Sequence, residues 1–147
     1  MKLFISPATI AGMSLAIVTF VSSGYAQSFV AELKTMEHDP AKRSEKALAL
    51  ADSAFDNARD YYVKGDYNKG DAQLENMTNA LNFCVESLQQ ARKAKYYKKA
   101  ELKVALLQRR MESLLDDIDV QERGWAEQTG RTLDQIHDKL LAGVMKK

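Results

Sequence analysis

A chain of 147 residues has room for one domain, and 46% hydrophobic with 28% charged residues excludes disorder over most of its length. The 21 basic and 20 acidic groups leave a formal charge of +1, which excludes a global attraction to nucleic acid or an anionic membrane and confines such binding to a local patch. Two prolines, seven glycines and no alternating run of β-branched residues point to an all-α protein.

Residues 1–26 read as a secretory signal peptide, the alternative being a retained membrane anchor, against which Pro7 interrupts the apolar stretch. Lys2 supplies the positive start, a largely apolar stretch follows, and Gly24 and Ala26 stand where a signal peptidase requires small residues. Lys2 is the only charged side chain before Gln27, so cleavage leaves 20 basic and 20 acidic groups. The expected location is exported, either periplasmic or secreted. Residues 27–39 read as a short amphipathic arm or linker in which Phe29, Val30, Leu33 and Met36 share a helical face, a candidate partner surface. Asp39-Pro40 ends the arm and opens the next helix.

Residues 40–147 are expected to form a single helical-bundle domain. Its first helix carries Ala47, Leu50, Ala51, Ala54, Ala58, Tyr61 and Tyr62 on one face. Gly65-Asp66 stops it, the glycine free to turn left-handed and the aspartate placed to cap the next helix. The positions Ala58, Tyr61, Tyr62, Gly65, Asp66, Tyr67, Gly70 and Leu74, within residues 47–77, resemble the helix-turn-helix of one tetratricopeptide repeat. Such repeats commonly bind peptides. Met77 stands where that pattern has alanine and no second copy follows, so no peptide groove is expected.

Two apolar ladders occupy the middle of the chain. The first runs Tyr67, Gly70, Leu74, Met77, Leu81, Cys84, Leu88 and Ala91; the second runs Tyr97, Ala100, Val104, Leu107, Met111, Leu114 and Ile118. Steps of three and four keep each on one helical stripe, and the pair reads as a hairpin with a long seam. Cys84, the single cysteine, is expected in the core. Between the ladders, Arg92, Lys93, Lys95, Lys98 and Lys99 with Tyr96 and Tyr97 form a basic hinge at 92–99, a candidate anion-binding site for lipid, polymer or nucleic acid. Cations at the C-terminus of the first ladder, Arg92, Lys93 and Lys95, are expected to complement its dipole.

Asp119 with Glu122 reads as a capping box that starts a last helix bearing Trp125, Leu133, Ile136, Leu140 and Val144, with a kink near Gly130. Asp116, Asp117, Asp119 and Glu122 lack the glycine turn of a calcium loop. The ending over residues 136–145, Ile-His-Asp-Lys-Leu-Leu-Ala-Gly-Val-Met, is similar to endings of small exported helical proteins of bacteria. Matched helix lengths and short links predict an up-down-up-down four-helix bundle preceded by the amphipathic arm.

Chemistry is sparse. Nucleophile elbows, phosphate-binding glycine loops and zinc motifs are absent from the sequence, so no catalytic, cofactor-binding or metal residue is assigned and an enzyme is not expected. Met36 and His137 resemble the haem ligands of exported b-type four-helix cytochromes, a remote alternative. The expectation is a non-enzymatic interaction or structural module with an unknown protein partner or self-association, and the alternative is an anionic-surface binder acting through the hinge.

Overall fold

The computed structural model describes Ala31, Lys34, Thr35 and residues 37–146. The signal-peptide expectation for residues 1–26 and the arm face of Phe29, Val30, Leu33 and Met36 lie outside the described residues. Ala31, Lys34 and Thr35 are helical and exposed.

Four helices follow: α1 (Pro40–Val63), α2 (Tyr67–Ala91), α3 (Ala94–Asp117) and α4 (Gly124–Met145). There is no strand among the described residues. Helix α1 starts where its chemistry dictates. The Asp39 carboxylate accepts from the Ala41 amide at 3.0 Å, and Pro40 supplies a first helical residue that needs no donor. It ends in a Schellman turn. The Asp66 amide donates to the Tyr61 carbonyl at 2.9 Å and the Gly65 amide to Tyr62 at 3.1 Å, while Gly65 takes φ +79°. The Asp66 side chain then accepts from the Lys69 amide to open α2.

The ladders set the buried faces. All core positions of both, from Gly70 to Leu88 and from Ala100 to Ile118, are buried, with Tyr67 and Tyr97 half-buried at their starts. The face expected for α1 is rotated. Leu48 and Phe55 are buried, whereas Leu50 and Tyr61 are only half-buried. In α4 the buried positions are Ala126, Thr129, Leu133, Ile136 and Leu140, so Trp125, one residue out of phase, is 45% exposed.

Helix directions alternate, giving the up-down-up-down bundle, but neighbours in sequence are not all neighbours in space. α1 pairs with α2 and α3 with α4; α2 also packs on α4 and α1 on α3. The α1–α3 pair is parallel, because Glu45, Asp52 and Asp56 meet Lys99, Lys103 and Arg110 in the same order along both helices. Helices α2 and α3 stand on a diagonal and barely touch. The two ladders therefore meet only through the common core, and the expected hairpin between them does not form. The flanks explain it: the acidic edge of α1 takes the basic edge of α3, and the alanines Ala47, Ala51, Ala54 and Ala58 let α2 close on the other side of α1.

Two boundaries are corrected. The helix of the first ladder ends with the ladder at Ala91, short of the lysines expected at its C-terminus: Arg92 turns left-handed at φ 53° and its amide donates to Leu88 at 2.9 Å. Asp119 does not cap the last helix. Its carboxylate accepts from the Gln121 amide at 3.4 Å and its carbonyl from Glu122 at 2.8 Å, forming a separate turn, so α4 begins only at Gly124. It then passes Gly130 without a break.

Candidate functional site on the outer face of α3

The break after Ala91 redistributes the basic hinge. Arg92 alone caps α2, where the dipole favours a cation; Lys93 and Lys95 belong to the start of α3, where it opposes one. Helix-end electrostatics therefore accounts for Arg92 and not for the two lysines. Their ammonium groups lie 5.9 Å and 5.0 Å from the Tyr96 ring centroid, within cation–π range. Lys98 pairs with Glu101 at 3.0 Å and Lys99 with Glu45 at 2.8 Å. The five candidate cations thus do not converge. Lys98 and Lys99 are held by carboxylates of α3 itself and of α1, while Arg92, Lys93 and Lys95 meet no carboxylate among the described residues.

One turn further along, α3 turns two leucines outward. Leu102 is 57% and Leu106 48% exposed. With Leu48 and Ala49 of α1 they line a groove of about 500 Å³, whose lips are Glu45, Lys99, Asp52 and Lys103. Two ion pairs join the α1 and α3 edges of the groove, Lys99 to Glu45 and, at 2.6 Å, Lys103 to Asp52. Below them Arg110 bonds to both Asp52 and Asp56 and stacks on the Phe55 ring at 4.4 Å. Neither leucine figured in the sequence reading. The available signal was that both fall off a ladder already complete at Val104 and Leu107, yet stand four residues apart on one side of the helix.

The α3–α4 seam holds the buried charge. Glu101 is 8% exposed, and its carboxylate bonds to Lys98 and, at 2.9 Å, to His137 Nε2. These contacts hold the Glu101 carboxyl below the usual carboxylate range, Lys98 first and His137 next. His137, the remote haem candidate, is thereby engaged by a carboxylate; its proposed partner Met36 lies outside the described residues, and His38 is exposed. Among the described residues no three His, Cys, Asp or Glu side chains gather closely enough to hold a metal ion. Asp116, Asp117, Asp119 and Glu122 are exposed around the α3–α4 link.

Cys84 is 1% exposed, and burial pushes its thiol up to about 12, which removes the thiolate that reactive chemistry needs. No described helix is long and apolar enough to cross a membrane. No protein-family model matches the chain, and no curated protein or solved structure is significantly similar to it.

Proposed function

We propose that the protein is an exported, non-enzymatic interaction module that docks a partner helix against the outer face of α3. The observation that carries this reading is the exposed pair Leu102 and Leu106 beside an apolar groove. Two exposed leucines one turn apart beside an apolar groove give a partner helix the i, i+4 spaced apolar contacts of a helix-in-groove interface. Export rests on the pattern of residues 1–26. The test compares the mature protein with a Leu102→Ser, Leu106→Ser variant as baits for an envelope fraction. A partner held by the first and released by the second, with unchanged circular dichroism, supports the reading; identical retention sinks it.

A second reading has its own observation. Arg92, Lys93 and Lys95 carry charge that no described carboxylate answers, as binding to anionic lipid or polymer requires. On this reading Arg92→Gln with Lys95→Gln weakens adsorption to anionic vesicles at low salt, and Lys98→Gln with Lys99→Gln does so less, because those lysines are already paired. Adsorption that is the same for all three proteins removes it.

A further inference from the structure

On the docking reading of α3, on which this rests, we infer that the partner is an acidic amphipathic helix laid along the stripe Lys95, Leu102, Leu106 and Arg109. These positions are separated by seven, four and three residues, so they stand on one side of the helix, and all four are exposed. In order they read cation, leucine, leucine, cation, over about 21 Å at helical rise. A partner of about four turns covers that length.

The charge this surface offers is what its neighbours leave unanswered. Lys99 and Lys103 are neutralised across the groove by Glu45 and Asp52. No carboxylate among the described residues pairs with Lys95 or Arg109. The docking stripe is therefore cationic at both ends within a chain that is nearly neutral overall. Lys95 also stands in the first turn of α3, whose cap residue Lys93 makes no side-chain bond to the free amides. A carboxylate brought to that end answers the ammonium and the helix N-terminus together. Between the cations, the groove beside Leu102 and Leu106 accepts the partner's apolar side chains.

A bilayer is the other surface that joins negative charge to an apolar layer. Lys95 and Arg109 stand about 21 Å apart with neutralised ion pairs beside the leucines between them, a pattern that matches two separated carboxylates of one helix and not a continuous layer of lipid phosphates.

The mature protein, residues 27–147, is titrated with three synthetic helical peptides of about four turns that share one leucine stripe and are flanked by Glu, Gln or Lys. The Glu-flanked peptide is expected to bind about tenfold more tightly than the Gln-flanked one, as two exposed ion pairs allow, and the Lys-flanked one least. The difference should shrink at about 0.5 M salt. Lys95→Gln with Arg109→Gln should erase the preference for Glu and keep the remaining binding, whereas Leu102→Ser with Leu106→Ser should weaken all three. Equal affinity for the Glu and Gln peptides overturns the acidic partner and leaves the docking reading intact. No binding by any peptide overturns both. Phosphatidylglycerol vesicles held more tightly than the Glu peptide through the same four residues would make the occupant a membrane. Self-association lost in the leucine variant would make it a second copy, and either result overturns the inference.

Discussion

The Tyr97 ring occupies the space where a side chain at position 143 would stand: a Cβ on Gly143 would come within 2.3 Å of the ring. The first hairpin repeats the device. A Cβ on Gly70 would lie 2.9 Å from the Tyr62 ring, whose hydroxyl bonds to Asp71. In each hairpin a tyrosine from one helix lies against a glycine of its antiparallel neighbour, α1 on α2 and α3 on α4. Such an approach fixes the relative height of the two helices, because a shift of one residue would put a side chain under the ring.

Gly143→Ala should therefore destabilise the protein by about 1–3 kcal/mol through overpacking, partly offset by the ~1 kcal/mol that alanine gains over glycine in a helix. Denaturant unfolding measures the loss. In a Tyr97→Ala background the clash is gone, and the same substitution should become stabilising by about 1 kcal/mol. A cost that persists without the tyrosine ring would show that the glycine serves another purpose.

Glu101 links stability to acid pH. Its folded carboxyl lies below the ordinary value of 4.5, chiefly through Lys98 and next through His137. A lowered carboxyl contributes stability that is present above its unfolded value and is lost as pH falls through the folded one. Glu101→Gln should thus be less stable than the parent at neutral pH, and the gap should close in acid below about pH 4. Thermal melts of both proteins across that window measure it, and a gap independent of pH would contradict the assignment.

Arg92 is the one non-glycine residue with positive φ among those described, at 53°. A side chain in the left-handed region costs roughly 1–2 kcal/mol, which glycine avoids at the expense of a more flexible unfolded chain. Arg92→Gly should stabilise the fold by up to about 1 kcal/mol. A decrease in melting temperature would mean that the guanidinium contributes more than its backbone costs.

Cys84 should resist alkylation in the native protein at mildly alkaline pH, because its thiol is buried and pushed up to about 12. Labelling should proceed at the rate of unfolding and slow as the protein is stabilised. Rapid stoichiometric labelling of folded protein would refute this burial.

Much of the fold was legible in spacing alone. Steps of three and four from Gly70 to Leu88 and from Ala100 to Ile118 mark residues that share one helical stripe, and every one of them is buried. Asp39-Pro40 and Gly65-Asp66 were equally legible, since capping and left-handed turns depend on a few adjacent residues. The Asp119–Glu122 pair misled because the same side chains can close an isolated turn. Of the surface, the segment 92–99 showed its charge but not which charges were spare.

The sequence by itself determined that four helices each have an apolar face, because periodicity is a property of one helix. Only the tertiary structure decided which helices share a border, since that depends on the flanks of residues some 50 positions apart, such as Asp52 with Lys103. That border sets α3 beside α1 and across the core from α2. It neutralises Lys99 and Lys103, leaves Lys95 and Arg109 unanswered, and turns Leu102 and Leu106 outward next to the groove.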